Sequence, residues 1–193
     1  MKSVCVFCGA NAGKNPIYLK SAKDLGQILS QKDISLVYGG SSVGLMGAVA
    51  DGVLSEKGRA FGVIPKHLEE KEIAHKNLTK LYVVDSMHER KALMFDLSEG
   101  FITLPGGLGS LEETCEILTW AQLGLHKKPV GILNVNGFYD FFLKQLDLAV
   151  QEELMKPVHR EMVIVDSDPQ KLLKKMSAYQ PPDLDKWIGR KQT

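Results

Sequence analysis

Cysteine is scarce: 3 of the 193 residues. An odd, sparse count gives no disulfide framework and suits reducing conditions. Excess charge of one sign is also lacking, with a formal net charge of +1. No broad electrostatic field therefore draws the chain to a nucleic acid or an anionic membrane, and any anion it binds must be held by a local site. Long apolar runs are missing too. The uncharged stretch from Ile34 to Ala50 is broken by Gly39-Gly40-Ser41-Ser42, which excludes a membrane span. The apolar start, Met1 to Cys8, is too short for the core of a signal peptide and reads better as a first strand. The 5 histidines show no zinc spacing, so no metal is expected. Repeats, low-complexity tracts and linkers are absent. These exclusions point to a cytoplasmic protein.

What is present is ordinary globular composition, 44% hydrophobic and 24% charged. A chain of this length buries about 70% of its unfolded surface, enough for a core without metal or disulfide. Residues 1–180 read as one domain and 181–193, with Pro181-Pro182, as a loose tail.

Short β-branched runs alternate with helical patterns. Strands are expected at Val4–Phe7, Ile34–Tyr38, Phe61–Ile64, Leu81–Val84, Phe101–Leu104, Val130–Leu133 and Val163–Val165. Helices are expected at Tyr18–Gln31 (Leu19, Ala22, Leu25 and Leu29 on one face), Leu45–Ser55, Met87–Leu97, Leu111–Leu123 and Tyr139–Val150, with a short terminal one. Pro65 to Lys80, polar and charged, reads as a solvated connection. Strands apolar throughout, separated by amphipathic helices, give an α/β fold: a Rossmann-like, doubly wound parallel sheet with helices on both faces. Such sheets bind ligands at the carboxyl ends of their strands.

Three strand ends run into glycines: Cys8-Gly9-Ala10-Asn11-Ala12-Gly13, Gly39-Gly40-Ser41-Ser42-Val43-Gly44, and Pro105-Gly106-Gly107-Leu108-Gly109-Ser110. Glycine lets the backbone approach a ligand, and the amides of the following helix start point at an anion. Two such loops on one sheet edge make a phosphate cradle, here Gly39, Gly40, Ser41, Gly44 and Gly106. Neither carries a P-loop lysine, and the dinucleotide fingerprint G-x-G-x-x-G is absent, so ATP hydrolysis and hydride transfer are not supported. Cys5-x-x-Cys8 lies on a strand, where residues three apart face opposite ways, and reads as two buried small hydrophobes.

Carboxylates gather after the third loop. With Ser110 as N-cap, Glu113 falls at the third helical position, the spacing of a capping box. Glu112 and Glu116 lie a turn apart on the same helix, and Thr119 lies two turns on from Glu112. Three acids in two turns exceed what a cap needs, so spacing leaves Glu113 open between cap and chemistry. Ser86 with Glu89 is a second capping pattern. Arg90 and Lys91 then oppose the dipole of their helix, which points to a bound anion beside them.

Val6-Phe7-Cys8-Gly9, Val37-Tyr38-Gly39-Gly40, Gly44-Leu45-Met46-Gly47, Gly62-Val63-Ile64-Pro65, Met87-His88-Glu89-Arg90-Lys91, Pro105 to Ser110 with Glu113, and Thr119 to Gly124 together resemble the Lonely Guy family of cytokinin-riboside-monophosphate phosphoribohydrolases. Many of its members once carried the label of possible lysine decarboxylase. Pyridoxal chemistry needs a lysine Schiff base in a recognisable site, and nothing in the sequence supplies one. The resemblance implies a homodimer without cofactor. It implies hydrolysis of the N-glycosidic bond of an adenosine 5′-monophosphate, often N6-prenylated, to free base and ribose 5-phosphate. By motif position the catalytic pair falls on Arg90 and Glu113. Phosphate and ribose contacts fall on Gly107, Gly109 and Ser110, with Lys91 beside them, and further substrate contacts on Glu72, Leu108, Leu111, Glu112 and Thr119. Met94 and Leu108 are candidate linings for a prenyl chain. Ser110 stands where the family motif PGGxGTxxE has threonine, keeping the hydroxyl, and Ser41 where many members have a third glycine. A nucleotide-binding protein without catalysis is the alternative: it needs the glycine loops but not Arg90 with Glu113.

Overall fold

The computed structural model describes residues 1–69 and 74–183. Within them the strands are β1 (Ser3–Phe7), β2 (Ser35–Tyr38), β3 (Ala60–Pro65), β4 (Lys80–Val84), β5 (Phe101–Thr103), β6 (Val130–Leu133) and β7 (Val163–Asp166). The helices are α1 (Ile17–Gln31), α2 (Gly44–Ser55), α3 (Lys66–Glu69), α4 (Met87–Asp96), α5 (Leu108–Gln122), α6 (Asp140–Gln151), α7 (Pro157–Glu161) and α8 (Pro169–Ser177), with a 3-10 turn at Val135–Gly137. All strand pairs are parallel. The order is β4-β3-β2-β1-β5-β6-β7. The chain thus builds outward from β1 to β4, then returns to the other side of β1 for the rest. Connections leave the carboxyl ends of β1 and β5 in opposite directions, and the crevice of a doubly wound sheet opens there.

The pleat sorts the core into two layers. Val4 and Val6 of β1 and Leu36 and Tyr38 of β2 join Leu25, Val49 and Leu172 from α1, α2 and α8. Their strand neighbours Cys5, Phe7 and Val37 point the other way, onto Met94 of α4 and Ile117 of α5. A smaller cluster seats α6 beside α5 on β6 and β7, around Ile132, Tyr139 and Val163. The alternation of side chains across a strand is the cause. It also separates Cys5 from Cys8: both thiols are free, each in a different layer. Burial raises the pKa of both, so they stay neutral.

Several boundaries differ from expectation. Leu19, assigned to the buried face of α1, is 37% exposed, while Tyr18 packs against the core instead. The connection after β3 begins as the short helix α3, and its far end bonds back to the loop after β2, His75 N–H donating to Gly40 O at 2.9 Å. Residues 70–73 and most of the expected tail, residues 184–193, lie outside the described residues. The largest difference is in α5, which begins at Leu108 rather than Leu111.

Helices α1 and α2 pack against each other through Gly26 and Gly52. A Cβ built on Gly26 would enter the Val49 carbonyl, and one on Gly52 the Lys23 carbonyl. These neighbours are backbone and cannot rotate away. Gly26→Ala should therefore destabilise, although alanine is the better helix former by about 1 kcal/mol. Overpacking of this kind typically costs about 1–3 kcal/mol or more. We expect the melting temperature to fall by roughly 5 °C, read by circular dichroism; a rise would contradict the packing.

Candidate active site

A cavity of about 480 Å³ opens at the carboxyl edge of the sheet, where β1 and β5 meet. Its walls come from both layers. The side of α4 and α5 supplies Met87, Arg90, Met94, Glu112 and Glu113. The side of α1 and α2 supplies Tyr18, Leu45 and Met46. Between them lie Gly39, the loop after β1 and the segment from Pro105 to Ser110.

Arg90 reaches the cavity because α4 is held firmly at its start. Ser86 Oγ accepts from Glu89 N–H at 3.1 Å, and the Glu89 carboxylate accepts from Asp85 N–H at 2.9 Å. This is the expected capping box, moved one residue outward on its return bond. One turn on, Arg90 is 7% exposed. Its Nε donates to Val63 O at 3.1 Å and its Nη2 to Gly39 O at 3.2 Å. Val63 lies within β3 and Gly39 directly after β2, so Arg90 spans two neighbouring strands. Gly39 has no side chain to stand in the way, since a Cβ there would collide with the guanidinium. The anion expected beside Arg90 and Lys91 is thus replaced, within the protein, by carbonyl oxygens and carboxylates. Lys91 Nζ bridges to Glu112 Oε1 at 2.6 Å and Glu116 Oε1 at 2.9 Å. Burial pulls its pKa down, but the two carboxylates outweigh this and hold it above the ordinary value.

The early start of α5 corrects the reading of Glu113. Gly107 is the N-cap, without a side-chain bond, and Ser110 sits inside the first turn. The capping box of Ser110 and Glu113 does not form. The buried Ser110 lies instead beside a polar strut: Thr114 Oγ1 donates to Ser110 O at 2.6 Å and lies 2.6 Å from Thr103 Oγ1 on β5. Glu113 is thereby released from any capping duty and lines the cavity. Burial pushes its carboxyl up to about 7, against the opposing pull of Arg90, with Glu112 adding a further push. A carboxyl that titrates near neutrality can exchange a proton under working conditions.

The first-turn amides of α5 have no carbonyl a turn back to bond, and a glycine cap offers no side chain to satisfy them. The start of α5, the positive end of its dipole, lies at the cavity wall. Gly106, Gly107, Gly109 and Ser110 line that wall. Leu108 points away, 87% exposed, and Leu111 packs into the cluster around Tyr139. Thr119 is exposed and donates to Cys115 O at 2.7 Å, two turns from the cavity. Lys91 is not among the lining residues, and Glu72 lies outside the described residues.

Of the second glycine loop, only Gly39 reaches the cavity wall. Gly40 and Gly44 have φ of 83° and 60°, and Ser41 is fully buried. Gly44 abuts the Ala10 backbone so closely that no side chain fits. That loop positions the first loop instead of lining the cavity. Gly9, Asn11 and Gly13 of the first loop, with Tyr18, Met46, Met87 and Phe138, also form the wall and were not singled out as site residues. The glycines after β1 were a usable signal; Phe138, from after β6, had none.

Among known proteins, the family model described as possible lysine decarboxylase matches residues 46–176. The probable cytokinin riboside 5′-monophosphate phosphoribohydrolase LOGL6 of Oryza sativa subsp. japonica is 46% identical over 180 residues, covering 93% of this chain and 72% of that protein. The cytokinin riboside 5′-monophosphate phosphoribohydrolase LOG5 of Arabidopsis thaliana is likewise 46% identical over 93% of this chain and 79% of its own. Among solved structures, the molybdenum cofactor binding protein of Rippkaea orientalis superposes with a TM-score of 0.69 at 22% identity, over 92% of this chain and 97% of that one. TM1055 superposes at 0.68 with 18% identity, over 93% of this chain and 100% of its own. At such identities these two speak to the fold alone. The sequence matches, with the family model spanning most of the sheet and the whole of α4 and α5, decide the rest: the chain belongs to the Lonely Guy family.

Proposed function

We propose that this protein hydrolyses the N-glycosidic bond of an adenine nucleoside 5′-monophosphate, including N6-prenylated forms, to free base and ribose 5-phosphate. The observation that carries this is the convergence, in one cavity, of a half-buried carboxyl that titrates near neutrality (Glu113), a fixed guanidinium (Arg90) and the open start of α5. The names of the relatives agree with it.

The α5 amides at Gly107 to Ser110 hold the 5′-phosphate. This remote binding energy places the ribose over Glu113. Cleavage builds positive charge on the sugar, as in other glycoside hydrolyses. Ionised Glu113 stabilises that charge and takes a proton from the attacking water. Arg90 polarises the departing purine. Because Arg90 is anchored on strand carbonyls, it costs little reorganisation at the moment of reaction. Lys91 fixes Glu112 and Glu116, and Glu112 lines the cavity beside Glu113 as a substrate contact; Glu72 and Thr119 are the remaining contacts that the family motifs imply. The base lies against Met46, Met87 and Met94, whose flexible thioethers accommodate an apolar N6 chain. No cofactor or metal takes part, and with a net charge of +1 no nucleic acid is a partner. The protein works in the cytoplasm, whose reducing conditions suit its free cysteines.

It does so as a homodimer. Helix α6 has no buried residue, and it presents Phe141 at 84% and Leu148 at 46% exposure. Leu154 at 85% and Leu108 at 87% are also exposed. Apolar area of this kind marks an interface.

Incubation with AMP and with isopentenyladenosine 5′-monophosphate, followed by chromatography, should release base. Glu113→Gln should lower turnover by about 10²–10⁴-fold and retain the fold. No base from either nucleotide would instead leave a non-catalytic binder. If the reaction needs ionised Glu113, kcat/KM falls as pH drops below about 7. Stability runs the opposite way. The folded protein holds the Glu113 proton more tightly than the unfolded chain, so stability falls as pH rises from the ordinary 4.5 to about 7. Above that window Glu113→Gln should be the more stable protein, by roughly 3 kcal/mol at most, and below about pH 4.5 the gain should vanish. Thermal melts at pH 8 and pH 4 measure this. Separately, Phe141→Glu with Leu148→Glu should halve the mass seen by sedimentation; an unchanged mass would move the interface elsewhere.

A further inference from the structure

The loop that delivers the α5 amides is fixed by hydrogen bonds to two other segments of the chain. Leu104 N–H donates to Phe7 O at 2.9 Å, and Gly9 N–H donates to Pro105 O at 3.0 Å. Both are backbone bonds to β1 and the loop after it. The third comes from a side chain on a distant segment: Tyr139 Oη donates to Leu104 O at 2.8 Å. Tyr139 is 2% exposed. Burial keeps its phenol protonated across any working pH, so it is a permanent donor.

Tyr139 is itself held on all sides. Its N–H donates to Asn134 Oδ1 at 2.8 Å, while Asn134 Nδ2 donates to Asp140 Oδ1 at 2.7 Å. Asn134 N–H is tied to Asp166 O on β7 at 2.9 Å. The 3-10 turn thus acts as a bracket from β6 and β7, ending in a hydroxyl placed under the carbonyl three residues before the α5 cap. Nothing in the proposed chemistry uses this bracket, yet the helix start cannot move while it is in place.

We infer that Tyr139 is a positioning residue: its hydroxyl sets the Pro105–Gly107 backbone so that the first-turn amides of α5 meet the 5′-phosphate. It touches neither base nor ribose. This rests on the phosphate assignment proposed above. The consequence is a selective one. Losing the hydroxyl should weaken whatever carries a phosphate and leave the base end alone, because the base wall comes from α2 and α4.

Tyr139→Phe keeps the ring in its cluster and removes only the hydroxyl, with its donation to Leu104 O and its bond to the Gly106 backbone. In the full-length protein we expect KM for AMP and the inhibition constant of ribose 5-phosphate to rise about tenfold, the factor for one hydrogen bond's net worth. The inhibition constant of adenine and kcat should change less than about twofold. Tyr38→Phe is the control, since Tyr38 is another buried tyrosine whose hydroxyl donates to a loop carbonyl, Ser41 O at 3.1 Å, away from the α5 start. It should leave ribose 5-phosphate inhibition at the wild-type value. An unchanged ribose 5-phosphate constant in Tyr139→Phe, an equal rise for adenine, or the same rise in Tyr38→Phe would overturn the positioning role alone. A wild-type enzyme that ribose 5-phosphate does not inhibit would overturn the phosphate assignment and this inference with it.

Discussion

Strand order reverses between β1 and β5, and the site depends on that reversal. A parallel sheet sends each strand's connection away from its carboxyl end to cover a face. Where successive connections leave in opposite directions, backbone at the strand ends remains uncovered. Here the gap between the layers becomes the cavity, and Arg90 is held at its wall by the carbonyls of Val63 on β3 and Gly39 just after β2. A cation in such a place is anchored by dipoles that the fold supplies anyway. A carboxyl beside it, Glu113, is too shielded from water to ionise at its usual pH. The fold therefore creates the electrostatic contrast from which the chemistry follows.

The second dependency is mechanical. The amides at the start of α5 are useful only if they are placed to within a fraction of an ångström. That placement comes from three directions. β1 holds the loop from one side, and the Thr103–Thr114 pair ties the first turns of α5 to β5. The turn before α6 closes the third side through Tyr139. The elements farthest apart in sequence meet where precision matters most, while Leu108, Thr119 and the outer face of α6 are left to solvent or a partner chain.

The sequence by itself determined the sheet and most of its helices. All seven strands lie where β-branched runs alternate with amphipathic ones, because period-2 and period-3.6 burial leave different traces in the order of residues. It also determined which loops carry glycine, and through the motifs around Arg90 and Glu113 the family itself. The tertiary structure alone decided what those residues do. The spacing of Ser110 and Glu113 matches a capping box, yet α5 starts at Leu108 because Thr114 and Thr103 lock the helix to β5 in that register, and local spacing cannot register a bond across layers. Gly40 and Gly44 look like a phosphate loop, yet Ala10 is pressed against Gly44 and β3 and Leu81 lie against Gly40. Phe138, Tyr18 and Met46 enter the cavity from segments with no motif at all. Each of these depends on contacts between residues far apart in the chain, whose geometry is set only when the layers pack.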